Sequence, residues 1–128
     1  MFPDNFSSKS GRGILIYVKR ELKAVEVNIE SEFKEHVWVK INLKDNDKLL
    51  TGCIYKIPSS DKTNHENLDE LLMKVSRLEE IFGRLLVAGD VNFPKINWAQ
   101  WEAGDETDLK FIECIRDCYF DQLVDKPT

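Results

Sequence analysis

The chain has 128 residues and a formal net charge of −5, with 42% hydrophobic and 32% charged residues. That is the length of one domain with enough apolar content for a core, and it excludes collagen-like, coiled-coil and disordered classes. An acidic total also excludes a protein that grips DNA through its whole surface, so any nucleic-acid contact must be local or carried by a part outside this chain.

Residues 1–12 are polar, rich in Ser and Gly, and read as a loop or tail. They open a basic stretch, with Lys9, Arg12, Lys19, Arg20 and Lys23 against Asp4 and Glu21 before residue 26. "GILIYVK" (13–19) predicts a buried strand. "KAVEVN" (23–28) alternates weakly and predicts a second. "HVWVKINL" (36–43) alternates clearly, with Val37, Val39, Ile41 and Leu43 on one face. After the turn residues "KDND", "KLLTGCIYKI" (48–57) predicts a fourth strand, and the short connections imply antiparallel pairing.

The period then changes. "TNHE" (63–66) fits a capping box with Thr63 as N-cap and Glu66 three residues on. Leu68, Leu71, Leu72, Val75 and Leu78 follow at helical spacing and Gly83 suits a stop, so a helix is expected over 64–82. "RLLVAG" (84–89) is too short for a further helix and reads as an interior strand, reached by that helix as a crossover. A loop covers 90–106. A second helix is expected at about 107–118, with Thr107 as N-cap and Leu109, Ile112 and Ile115 inward; "FDQLV" (120–124) suggests one more strand. Residues 99–125 hold eight acidic side chains against two basic ones, which reads as a solvated face.

Cys53, Cys114 and Cys118 are odd in number and lack a C-x-x-C spacing, and with only His36 and His65 no zinc site is legible. Free thiols in a reducing compartment are the simplest account. No membrane-length apolar run and no signal-peptide core is present, so the expected location is nuclear or cytoplasmic, not secreted, with no membrane partner.

The chemistry centres on "RLLVAGDVNFPKINW" (84–98), where an apolar run stops at Gly-Asp, then Asn. Ligands of α/β sheets bind beyond the carboxyl ends of strands, which is where Asp90 and Asn92 fall. A carboxylate there can hold a water or take a proton, and an amide can donate to a phosphate oxygen. Asp and Asn are also favoured turn residues, so a plain turn remains open. Tyr55 ends the strand "LLTGCIY". If that strand neighbours 84–89, its hydroxyl approaches Asp90 and can donate to an oxyanion; otherwise it is a strand-end aromatic in the core. Trp98 and Trp101 suit packing anchors or base stacking. His65, in the first helical turn, is expected to be exposed.

Taken in order, "GRGILIYVK", "GCIYKIPSS", an amphipathic helix and "LLVAGDVNFPKINW" resemble the endonuclease/exonuclease/phosphatase superfamily. More narrowly, they resemble the endonuclease domain of non-long-terminal-repeat (non-LTR), jockey-like retrotransposon polyproteins. That family shows a Gly-Gly-initiated strand, an I-Y-x-P-P-S-S segment, and G-D-F-N followed by Pro and Trp. Here Val91 stands for the Phe, Ile57 for a Pro, and Pro58 where some relatives carry an asparagine after the tyrosine. The resemblance implies a DNase I-like α/β sandwich. This chain would be its central-to-C-terminal part, a partial domain over 1–128 with a mixed β-sheet and two main helices.

It further implies magnesium-dependent phosphodiester hydrolysis that nicks DNA, with a reverse transcriptase domain in the full polyprotein. Asp90 would position or deprotonate the attacking water, Asn92 would contact the scissile phosphate, and Tyr55 would lie near that phosphate. The family's metal-binding glutamate and an earlier asparagine precede the "GRG" segment, and its closing Ser-Asp-His follows the point where "LVDKPT" ends. The chain is therefore expected to lack both and to have very low activity alone. A non-catalytic α/β interaction module derived from the same fold is the alternative. A calcineurin-like phosphatase would need Asp-x-His upstream and Gly-Asn-His downstream, and neither is present.

Overall fold

The structure, a computed structural model, describes residues 6–11 (backbone path) and 14–123. It is an α/β fold with a four-strand mixed sheet. Strand β1 (Phe6–Gly11) pairs antiparallel with β2 (Ile14–Lys19), from Phe6↔Lys19 to Gly11↔Ile14. The second sheet has the order β3-β4-β5-β6: β3 (Val25–Val27), β4 (His36–Asn42), β5 (Lys48–Tyr55) and β6 (Gly83–Asp90). β3, β4 and β5 are antiparallel neighbours, whereas β6 runs parallel to β5.

Residues 6–11 are thus a strand rather than a loop; residues 1–5, 12 and 13 lie outside the described residues. "FSSKSG" has no strand-forming composition, and it is pairing with β2 that makes it extended. β2 does not join β3. A tight turn at Arg20–Leu22 and the left-handed Lys23 (φ 51°) send the chain into the other layer. Nor is β2 a fully buried strand: Ile14 and Val18 are buried and Ile16 partly so, while Leu15 and Tyr17 face out. The β4–β5 turn uses Asp45 and Asn46 at φ 60° and 64°, a region those two residues tolerate.

The pleat of β4 and β5 serves two cores. Trp38, Leu50 and Ile54 point to the helices, where they meet Leu68, Leu71, Leu72 and Val75 of α1 (Lys62–Arg77) and Phe111, Ile112 and Ile115 of α3 (Glu106–Asp117). Val39 and Ile41 point the other way, onto Val18 and Ile16 of the β1–β2 ribbon. The layers are helices, sheet and ribbon. Each large aliphatic side chain so buried contributes roughly 1.5–3 kcal/mol.

Both helices start earlier than their threonines suggest. Asp61 Oδ1 accepts from Asn64 N at 2.8 Å and caps α1; Asp105 Oδ1 accepts from Asp108 N at 2.8 Å and caps α3. A carboxylate satisfies the same orphan N–H groups and also complements the positive helix end. On α3, Phe111 faces inward and Leu109 outward. The expected 64–82 helix is broken at Leu78 into α1 and a single turn, α2 (Glu79–Phe82). Just before the break Ser76 Oγ bonds back to the Met73 carbonyl at 2.8 Å, a contact that bends helices.

The crossover of β5, α1, α2 and β6 forms as expected, but among the described residues β6 pairs with β5 alone and so is an edge strand, not an interior one. Its apolar run is continuous because Leu85 and Val87 pack toward the helices, while Leu86 remains 46% exposed. Residues 120–123 form no strand, and 124–128 lie outside the described residues. Among the described residues no helix is long and apolar enough to cross a membrane.

Candidate functional site

The parallel pairing of β5 and β6 brings their carboxyl ends together. The last register pair is Tyr55↔Asp90, so the two predicted residues are strand neighbours. Lys56 N donates to the Asp90 carbonyl at 2.9 Å and Tyr55 N to the Glu35 carbonyl at 3.0 Å, which ties both strand ends down. Tyr55 is 39% exposed and Asp90 is exposed.

Gly89 explains why a glycine precedes Asp90. Its φ is 138°, and a Cβ there would lie 1.8 Å from the Ile54 carbonyl oxygen, so the two strands approach closely at this point. Asp90 Oδ1 then accepts from Asn92 N at 2.9 Å, with Asn92 in the left-handed region at φ 49°. This is an Asx-type turn. The turn that the sequence leaves open is present, and it sits directly at the end of β6.

Asn92 does not face outward with Asp90. Its Nδ2 donates to the Lys56 carbonyl, and its second amide hydrogen and Oδ1 make no hydrogen bond among the described residues. The fourth member of the cluster is Lys56 itself, which is 1% exposed. Its Nζ donates to the Asn92 carbonyl at 3.1 Å, lies 3.2 Å from His65 Nδ1, and sits 3.7 Å from the centroid of the Phe93 ring. Burial pulls the Lys56 pKa down, while Asp108, Asp69, Asp90 and Asp105 oppose that pull. His65 is half-buried, not exposed. Lys56 was hidden from sequence reasoning because a lysine reads as surface. One signal points to it: it continues the inward face of Leu50 and Ile54 at a spacing of two.

A pocket of about 350 Å³ lies between the first turns of α1 and α3, walled by His65, Asp69, Phe93, Thr107 and Phe111; Tyr55, Asp90 and Asn92 do not line it. Asp69 Oδ1 is buried there with no hydrogen-bond partner among the described residues. Burial, then the neighbouring Glu66, raises the Asp69 pKa to about 7, against Lys110 and Lys56. Trp98 and Trp101 meet edge to face at 5.5 Å, and Trp98 packs on Phe111 of α3, which suits anchors of the 91–104 loop. Cys53, Cys114 and Cys118 are free thiols.

Among the described residues no group of three or more His, Cys, Asp and Glu side chains is arranged to hold a metal ion. At the strand ends Asp90 stands with a phenol and an amide. These residues do not by themselves make a magnesium site. Against protein-family models, curated proteins and solved structures alike, the chain finds no match.

Proposed function

We infer that this chain is part of a phosphodiesterase domain of the endonuclease/exonuclease/phosphatase type, similar to the DNA-nicking endonuclease of non-LTR retrotransposon polyproteins. The observation that carries the reading is the Tyr55↔Asp90 register at the ends of adjacent parallel strands, with Asn92 in the turn that follows. On this reading the finer fold is a DNase I-like sandwich, with the β1–β2 ribbon belonging to its second sheet. Asp90 orients or deprotonates the attacking water, and the Tyr55 hydroxyl donates to a phosphate oxygen. Asn92 has one amide hydrogen left for the phosphate. DNA is the substrate, and magnesium and a reverse transcriptase domain belong to the complete protein.

One observation favours a second reading, a non-catalytic interaction module. Asn92 is already committed to the Lys56 carbonyl, so the amide has a structural task without any substrate. Plasmid nicking with magnesium separates the two. The chain alone should nick very slowly. A version extended at both ends should nick, and Asp90→Ala in it should lower the rate by about 100-fold or more, the usual weight of a positioned acid or base. Nicking that survives Asp90→Ala would remove the phosphodiesterase reading.

A further inference from the structure

Lys56 is tied to the strand-end turn through both its backbone and its side chain. Its amide donates to the Asp90 carbonyl, its own carbonyl accepts from Asn92 Nδ2, and its Nζ donates to the Asn92 carbonyl and lies over Phe93. Charged side chains are almost never fully buried without such partners. The remaining partner, His65, comes from the first turn of α1. An ammonium group has donors only. While Lys56 is charged, His65 Nδ1 therefore accepts, which places the ring proton on Nε2 and keeps the imidazole neutral.

We propose that Lys56 is a positioning residue that latches the Asp90–Asn92 turn, and that a proton on His65 opens the latch. Its functional meaning rests on the phosphodiesterase reading of that turn; its geometry does not. A protonated imidazole offers no lone pair and puts a second cation 3.2 Å from the ammonium. The charges acting on the His65 ring are Lys56 just past β5, Asp61 at the head of α1 and Asp105 at the head of α3. Lys62, Glu66 and Asp69 of α1 line the same pocket, with the Asp69 pKa itself raised to about 7. Lys110 and Glu106 of α3 share its pocket and pair with each other at 3.9 Å, and Phe93 brings no charge. Burial and then Lys56 hold the His65 pKa below its ordinary 6.5, with Asp105 and Asp61 opposing. The latch is closed at neutral pH and opens on acidification.

Amide NMR on the 128-residue chain tests this without any activity. In the wild type, the Asn92 backbone and side-chain amide signals should move together in one step below pH 6.5. In His65→Gln, which keeps an acceptor but does not titrate, that step should vanish. In Lys56→Met the Asn92 side-chain signal should already resemble a solvated amide at pH 8, with the Trp38 indole signal unmoved to show an intact fold. A step that persists in His65→Gln overturns the proposal, and so does an unmoved Asn92 side-chain signal in a folded Lys56→Met. If Lys56→Met does not fold, the His65→Gln titration decides alone. In the extended nuclease, His65→Gln should flatten the acid limb of the nicking profile. No nicking at any pH, with the amide steps as expected, sinks the phosphodiesterase reading and supports the latch.

Discussion

The Trp38 indole occupies the space where residue 52 would carry a side chain. The two are register partners on β4 and β5, and a Cβ built on Gly52 would lie 2.1 Å from Trp38 Cε3. Trp38 is 1% exposed, and its Nε1 donates to His36 Nδ1 at 2.8 Å, so the ring has nowhere to go. Gly52→Ala should cost about 3 kcal/mol, the upper range for overpacking a filled core. Urea unfolding gives the number, and a loss under 1 kcal/mol would show that the ring can shift.

Gly83 and Gly89 both have positive φ, yet they should respond differently to alanine. At Gly83 the nearest atom to a Cβ is 3.9 Å away, so only the backbone cost of roughly 1–2 kcal/mol applies. At Gly89 a Cβ would lie 1.8 Å from the Ile54 carbonyl oxygen, and the end of β6 must part from β5. Thermal unfolding should rank Gly89→Ala far below Gly83→Ala.

Asp61→Ala should destabilise by about 1 kcal/mol, the ordinary weight of an N-cap, and Asp105→Ala should destabilise as well. Thr63→Ala and Thr107→Ala should be close to neutral, since those side chains cap neither helix. Equal losses at the threonines and the aspartates would contradict the helix starts described above.

Asn92→Ala should cost about 2 kcal/mol. It strands the Lys56 carbonyl and places a Cβ residue without a local hydrogen-bonding side chain at φ 49°. Asn92→Gly keeps the backbone conformation and should lose only the hydrogen bond, about 1 kcal/mol. A glycine variant as unstable as the alanine one would mean that the turn's conformation contributes little.

Asp69 predicts a pH dependence. Its folded pKa, raised from 3.8 to about 7, means that the folded state keeps a proton which the unfolded state has released in that window. The contribution is fully present below 3.8 and is lost as pH rises through about 7. Asp69→Asn imitates the protonated form. It should be more stable than the wild type at pH 8, by about 1 kcal/mol once solvent screening is allowed for. The gain should disappear near pH 4, and denaturant melts at the two pH values check both parts.

Much of this architecture was readable wherever one periodicity ruled one surface. The alternation of Val37, Val39 and Ile41 located β4, and the spacing of Leu68, Leu71, Leu72 and Val75 located the buried face of α1. The crossover was legible too, but that it sets Tyr55 beside Asp90 was only a condition, met by the parallel register of β5 and β6. What stayed hidden depended on partners distant in sequence. β1 is extended only because β2 lies beside it, β6 is apolar yet sits at an edge, and Lys56 is buried because a turn 36 residues away supplies its acceptor. The N-caps were obscured for a local reason, since Ser60, Asp61 and Thr63 compete within four positions and the carboxylate prevails.

The edge position of β6 bears on how the protein behaves when concentrated. Eight residues of strand pair on one side only among the described residues, and Leu86 stands exposed in the middle of them. Such an edge is a template on which a second chain can lay down a strand. The charges stand at the two ends, Arg84, which meets Asp47 at 3.3 Å, and the exposed Asp90, and the stretch from Leu85 to Ala88 between them has no charge of its own. Self-association of this chain should begin there, and a lysine in place of Leu86 should suppress it without touching the helix-side core.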